Sequence, residues 1–191
     1  MRKLLFLTAA FCLFSIAAFA QDKKADYSGT WNLDVSKSKL GDRNNIESQT
    51  LTVTQTDKDI NVATATKRAA APPAGAPAGG PPGGGGGGGR SGGGGMMGGG
   101  DNTMTYALDG KETTVEVESP MGKVPVKLTG KSDVGKLHLA SSRTMNTQMG
   151  EVTISTKETW ELSANGNTLT VNRESTSPRG TNSSTMVFAK K

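Results

Sequence analysis

Residues 158–173 read ETWELSANGNTLTVNR, and this stretch predicts a β-hairpin. Apolar residues alternate with polar ones on both sides of Asn165-Gly166, a dipeptide typical of tight turns between antiparallel strands. With that pair at the centre of the turn, Trp160 faces Val171 across the two strands. The register puts the apolar side chains on one face, as a sheet packed over a single core requires.

The same alternation recurs along most of the chain, and helical periodicity is nearly absent. The predicted strands lie near residues 29–34, 49–56, 59–66, 103–108, 111–118, 123–130, 136–145, 150–162, 167–175 and 184–190. Most connections between them are short, which indicates an up-and-down meander. We therefore expect an all-β fold, a single antiparallel meander β-barrel of about 8–10 strands.

Further turn signals at Asp57-Lys58, Asp109-Gly110 and Val134-Gly135 extend the register outward from this hairpin. The registers predicted from them are Val53 opposite Val62, Met104 opposite Val115, Tyr106 opposite Thr113, and Val126 opposite Arg143. The first two hairpins again collect apolar residues on one face. The third sets an apolar side chain against a charge, so a different turn remains an alternative there.

The N-terminus predicts export. Arg2 and Lys3 precede an apolar run, and Ala18-Phe19-Ala20 has the small residues of a cleavage site, so residues 1–20 read as a signal peptide. The single cysteine, Cys12, lies inside that run, and a disulfide-free chain remains after cleavage. We expect a periplasmic or extracellular protein that is not membrane-spanning, with residues 21–26 forming a flexible tail.

Residues 69–100 hold 17 of the 26 glycines and five of the eight prolines. Such a composition buries too little apolar surface to offset the entropy of ordering, which predicts disorder. Strand-like sequence resumes on both sides, so the segment reads as an insertion in one loop. We therefore expect one barrel domain over residues 27–191, interrupted by a disordered Gly/Pro-rich insertion at 69–101.

The hairpin register places Glu158 opposite Arg173 on the inward face, beside Trp160. Two interpretations remain open. The pair is a structural ion pair near the barrel mouth, or Arg173 binds an anionic head group that Glu158 orients. On the second interpretation Arg143 is a second cation, and Trp160 and Tyr106 belong to the same ligand-binding interior.

Two sequence phrases carry a family resemblance. Residues 27–34, YSGTWNLD, and residues 160–163, WELS, which precede Asn165-Gly166, resemble small exported bacterial lipocalin-like proteins of the calycin superfamily, which also holds the fatty-acid-binding barrels. The resemblance implies that Trp31 closes one end of the barrel with an arginine, Arg173 or Arg179, across its ring. That use of Arg173 competes with ligand binding. The Gly/Pro insertion and the missing disulfides depart from the family pattern.

Other chemistry finds little support in the sequence. His138 is the sole histidine, which excludes the usual zinc spacings and leaves no nucleophile and base for a catalytic set, so we expect no metal, no cofactor and no enzyme activity. The glycine run that ends in Arg90-Ser91 lacks the flanking strand and helix of a phosphate loop. The formal charge of +5, or +3 without Arg2 and Lys3, is spread along the chain and does not indicate nucleic-acid binding.

Two functions follow as hypotheses. The first is a non-catalytic exported protein that holds a small hydrophobic or amphipathic ligand inside the barrel, near Arg173. The cavity wall is predicted to include Leu51, Val53, Val62, Tyr106, Val115, Val126, Trp160 and Val171. The alternative is an envelope structural or interaction protein with a filled barrel, whose Gly/Pro loop or outer surface contacts other envelope components.

Overall fold

The computed structural model describes residues 24–41, 45–69, 101–119, 122–147 and 150–191. The predicted signal peptide, residues 21–23 of the predicted tail and residues 70–100 of the Gly/Pro insertion lie outside the described residues. Of that tail, Ala25 packs against the core, and its carbonyl accepts a hydrogen bond from Gln55 Nε2 at 3.0 Å.

Ten antiparallel strands make up nearly all of the described structure, which confirms the all-β fold class. They are β1 (Gly29–Leu33), β2 (Ile46–Gln55), β3 (Asp59–Arg68), β4 (Asn102–Ala107), β5 (Asp109–Ser119), β6 (Gly122–Asp133), β7 (Lys136–Thr147), β8 (Gly150–Leu162), β9 (Thr168–Ser177) and β10 (Gly180–Lys190). They form one sheet, in which β1 pairs with both β2 and β10 and every other neighbour is consecutive in sequence. The sheet curls into a nearly closed meander barrel whose free edges are β4 and β5.

Three of the four predicted hairpin registers are confirmed. Val53 pairs with Val62, Val126 with Arg143, and Trp160 with Val171, as the turn signals indicate. The interior side chains therefore follow the period-two pattern of the sequence. The alternation is strong enough that Val126 opposite Arg143, the least expected of these pairs, also forms.

The Asp109-Gly110 hairpin prediction is wrong. β4 pairs with β3 and β5 pairs with β6, so Met104 does not face Val115, and Tyr106 does not face Thr113, across a shared ladder. Between the strands Leu108 is buried, and its N–H donates to Lys58 O at 2.7 Å. Burial of this leucine directs the chain from one free edge of the sheet to the other, and the turn signal does not close a hairpin.

Gly130 on β6 lies against β4, one of the two free edges of the barrel. A Cβ atom at this position would lie 2.6 Å from Ala107 O and 3.0 Å from Tyr106 Cβ, both on β4. A side chain here would force the strands apart. The glycine therefore permits β4 to approach β6 at the point where backbone pairing between β4 and β5 is missing.

One end of the barrel, here called the closed end, is filled by aromatic side chains. The Tyr27 hydroxyl donates to Trp160 O at 3.1 Å, and the rings of these two residues meet edge to face with centroids 6.1 Å apart. The Trp31 indole donates to Tyr27 O at 2.9 Å. All three side chains are buried, so this end is packed solid.

The opposite end, here called the rim, is where β3 ends and β4 begins. The connection from β1 to β2 also passes there through a short 3₁₀ turn, Val35–Lys37. Asp34 caps this turn by accepting hydrogen bonds from the backbone N–H groups of Ser36 and Lys37. Ser38 Oγ accepts from Val187 N at 2.9 Å, which ties the connection to β10.

Candidate functional site

A cavity lies inside the barrel between the closed end and the rim. The volume in which the centre of a water molecule can lie is about 80 Å³. Its wall consists of Gln49, Leu51, Val62, Thr64, Asn102, Met104, Tyr106, Leu139, Ser141, Thr156, Glu158, Trp160, Val171, Arg173, Met186 and Phe188. The wall combines apolar side chains with one acid, one base and several uncharged polar groups, a mixture typical of sites for small molecules.

Glu158 and Arg173 meet in this wall in the predicted register. Arg173 Nε donates to Glu158 Oε1 at 2.6 Å, and Nη2 of the same guanidinium also contacts that oxygen. Trp160 Nε1 donates to Glu158 Oε2 at 2.8 Å. Both carboxylate oxygens are thus engaged, and the two charges neutralise each other inside the barrel.

Solvent reaches this pair only in part. The Arg173 side chain is 28% exposed and the Glu158 side chain is 13% exposed. The guanidinium contributes Nε and Nη2 to the ion pair, and no described residue accepts a hydrogen bond from its Nη1. Arg173 therefore keeps a donor group that water or a ligand can engage.

Tyr106 brings a phenol to the same cavity from β4. Its hydroxyl donates to Met104 Sδ at 3.4 Å, a weak contact that a better acceptor can replace. Burial raises the pKa of Tyr106 above its ordinary value, and the negative charge of Glu158 raises it further. The phenol is therefore a neutral donor at physiological pH.

Gln49 is a cavity residue that the sequence analysis missed. It is 3% exposed, and its Nε2 donates to Thr66 Oγ1 at 2.9 Å. No described residue donates to Gln49 Oε1. The alternation of β2 places Gln49 on the same face as Leu51, so the inward polar side chain was readable from the sequence.

The structure brings together four of the five residues predicted to bind a ligand: Arg173, Glu158, Trp160 and Tyr106. Arg143 lies on the inner face between Val126 and Ile154 but does not line the cavity. Burial lowers the pKa of its guanidinium. Of the predicted wall, Leu51, Val62, Tyr106, Trp160 and Val171 line the cavity, whereas Val53, Val115 and Val126 pack elsewhere in the core.

Trp31 lies at the closed end, and the cation over its ring comes from Lys190. Lys190 Nζ lies 5.2 Å from the ring centroid, while Arg173 is engaged with Glu158. A Cβ atom at Gly29 would lie 3.0 Å from Lys190 Cε. The glycine of the Gly-x-Trp phrase thus leaves room for the lysine stem, and Arg173 is available to the cavity.

The described residues hold neither a cluster of three or more potential metal-binding side chains nor a helix long and apolar enough to cross a membrane. His138 pairs with Thr159 on the outward face of β7 and β8, where its Nδ1 lies 3.3 Å from Thr159 Oγ1. The sole histidine is therefore remote from the cavity wall.

A second, open depression lies on the outer face of β8, β9 and β10 and has a volume of about 500 Å³. Its wall consists of Lys39, Lys157, Thr159, Asn172, Arg173, Glu174, Ser183, Ser184 and Thr185. The wall is polar and carries charges of both signs. Unlike the wall of the interior cavity, it includes no residue of an apolar type.

Neither a family model nor a curated protein sequence matches the chain. Among solved structures, the chain is similar to the crystal structure of zebrafish ileal bile acid-binding protein complexed with cholic acid. The alignment covers 86% of this chain and 98% of that chain, with 13% sequence identity and a TM-score of 0.46. The resemblance to exported bacterial lipocalin-like proteins therefore remains a prediction from the sequence.

Proposed function

We propose that this protein is an exported, non-catalytic binding protein that holds a small amphipathic molecule inside the barrel. The observation that carries the proposal is a cavity bounded on one side by apolar side chains and on the other by Glu158 and Arg173. A barrel with a purely structural interior gains more stability by filling that space with apolar groups. Export is supported by the composition of residues 1–20.

The aromatic plug at the closed end supports entry of the ligand from the rim. Tyr27, Trp31 and Trp160 leave that end buried and hydrogen-bonded. In β9 the apolar Leu169 and Val171 lie toward the closed end, and Arg173 follows toward the rim. A ligand that enters apolar end first thus keeps its polar end beside the ion pair.

We propose a non-catalytic function because the ionisable side chains of the cavity are poorly suited to acid–base chemistry. Both Glu158 oxygens accept hydrogen bonds, so this carboxylate is poorly placed to act as a general base. Tyr106 has a raised pKa, which makes its phenolate rare near neutral pH. Ligand retention needs neither proton transfer nor a nucleophile.

Native mass spectrometry of the exported product, purified without detergent from a lysate that contains membranes, tests the proposal. We expect an additional mass on the wild-type protein from a molecule small enough for a cavity of about 80 Å³. Ser141→Leu places a larger side chain in the cavity wall and removes this mass. Ser142→Leu, on the outward face one residue away, keeps it.

The alternative function, a filled barrel that works through its outer surface, is favoured by two observations. The closed end is tightly packed, and the open depression on β8–β10 offers mixed charges to a partner. A bare protein mass in the same experiment, together with no uptake of added amphipathic molecules, contradicts the ligand-binding function and favours this alternative.

A further inference from the structure

The charges and hydrogen-bonding groups of the cavity restrict the chemical class of its ligand. We infer that the ligand presents an uncharged hydroxyl-type group, rather than a carboxylate, to the polar side of the cavity. This inference rests on the proposed ligand-binding function and specifies the molecule that the same site accepts.

The ion pair in the cavity wall is balanced in charge. Arg173 is compensated by Glu158, whose two oxygens accept from Arg173 and Trp160. A carboxylate that approaches Arg173 meets the negative charge of Glu158 at the same place. Since a charge taken out of water needs a partner of its own, an anionic ligand gains little here and loses its hydration. Arg143 does not line the cavity and so does not supply that partner.

The rest of the polar wall is uncharged. It consists of Gln49, Thr64, Asn102, Ser141 and Thr156. Amides and hydroxyls both donate and accept hydrogen bonds, whereas an ionised carboxylate only accepts them. A ligand hydroxyl therefore has more possible partners in this wall than a carboxylate.

Gln49 presents an unpaired oxygen to the cavity. Its amide nitrogen is held by Thr66, and among the described residues nothing donates to Oε1. A buried acceptor without a donor is unfavourable. Because Gln49 belongs to the cavity wall, a water or a ligand in the cavity can supply that donor, and among ligands an alcohol supplies one while a carboxylate does not.

The same ligand group finds a donor in the wall. Arg173 Nη1 has no acceptor among the residues that the structure describes. A hydroxyl oxygen accepts from an N–H and donates its own proton, so a ligand hydroxyl can pair with either of these two groups. A ketone or an ether can accept a hydrogen bond from Arg173 but cannot donate one to Gln49.

Isothermal titration calorimetry with three ligands of equal chain length, 1-octanol, octanoate and octyl methyl ether, tests the inference at pH 7.5, where octanoate is ionised. We expect the wild-type chain to bind 1-octanol about tenfold more tightly than the ether, the effect of one donated hydrogen bond. Octanoate binds more weakly than 1-octanol. Gln49→Met, which keeps the side-chain length, reduces octanol binding to the level of the ether.

Glu158→Gln provides the matched test of charge balance. The glutamine keeps an acceptor for Arg173 but removes the compensating charge, so octanoate affinity rises by about tenfold or more while octanol affinity does not rise. This variant also keeps the inference testable if Gln49→Met fails to fold.

Each of the following results contradicts either one step of the inference or the proposed function itself. Octanoate binding as tight as octanol binding overturns the inference and leaves the ligand-binding function standing. Equal binding of octanol and its ether overturns the role of Gln49, and unchanged octanoate affinity in Glu158→Gln overturns the charge-balance argument. If the folded wild-type chain binds none of the three, the proposed function fails and the inference fails with it.

Discussion

Arg173 Nε lies 2.6 Å from Glu158 Oε1 inside the barrel, where β8 and β9 pair these two residues directly. The second carboxylate oxygen accepts from Trp160, an aromatic residue of the core. The ion pair is therefore both a structural link between two strands and the polar wall of the cavity. The pair lies in the cavity wall, but its mutual neutralisation leaves little gain for the anionic head group of the second sequence interpretation.

Loss of Arg173 is predicted to destabilise the fold. Arg173→Met leaves the Glu158 charge without its cation in a site that solvent reaches only in part, and we expect unfolding to require about 1–3 kcal/mol less. Urea denaturation followed by tryptophan fluorescence measures this change. The double variant Glu158→Gln with Arg173→Met recovers part of the loss; a double variant as unstable as the sum of the singles contradicts the pairing.

Both tyrosines are predicted to titrate above the ordinary range. Burial raises the pKa of Tyr27 to about 12, with a further contribution from Glu161, and burial raises the pKa of Tyr106 as well. The chain has only two tyrosines, so absorbance at 295 nm reports these groups alone. We expect little ionisation at pH 10 in the folded protein. Half-ionisation near pH 10 contradicts the burial of both rings.

The same shifts predict a stability that falls in alkali. A tyrosine whose folded pKa lies above its unfolded value of about 10 keeps its proton in the folded state while the unfolded chain releases it. Its stabilising contribution is therefore complete below pH 10 and is lost as the pH rises toward 12, by at most about 1.4 kcal/mol per pH unit for Tyr27. Urea denaturation at pH 9, 10 and 11 measures the slope, which Tyr27→Phe reduces.

Gly130→Ala is predicted to loosen the contact between β6 and β4. The added methyl group would lie 2.6 Å from a backbone oxygen, Ala107 O, which cannot move without shifting the strand. We expect the free energy of unfolding to fall by about 1–3 kcal/mol, which is visible as a lower melting temperature. Thr129→Ala, on the outward face one residue away, is the control, and equal melting temperatures for the two variants contradict the close approach.

Lys190→Met is predicted to lower the free energy of unfolding by about 0.5–1 kcal/mol. The methionine keeps a long stem across Gly29 but removes the charge above the Trp31 ring. Lys191→Met is the control at the neighbouring position. Chemical denaturation of both variants measures the difference. Equal stabilities show that the contact with the ring contributes nothing.

Local sequence predicts the paired strands well and the closure of the barrel poorly. Alternation and turn residues are local properties, and they suffice to place Trp160 opposite Val171 and Glu158 opposite Arg173. The Asp109-Gly110 turn signal is equally local, yet burial of Leu108 and the approach of Gly130 to β4 decide the chain path there. Those contacts join distant segments, which a turn signal does not report.

In the candidate site, too, local pairings are predictable from the sequence and contacts between distant segments are not. Glu158 and Arg173 are predictable because one hairpin carries both residues. The position of Lys190 over Trp31 depends on the pairing of the last strand with the first, which no local pattern specifies. Gln49 is different: its inward direction follows from the alternation with Leu51, but its unpaired oxygen is visible only once the surrounding side chains are placed.

The most direct measurement of the central claim, that the barrel interior beside Glu158 and Arg173 binds an amphipathic molecule, is a titration of the ¹⁵N-labelled chain with 1-octanol followed by the two tryptophan indole signals. The Trp160 indole donates to Glu158 in the cavity wall, whereas the Trp31 indole donates to Tyr27 O at the closed end. We expect a saturable shift of the Trp160 indole signal and an unchanged Trp31 signal. A Trp160 signal that does not move, or that shifts in proportion to octanol without saturation, contradicts this claim.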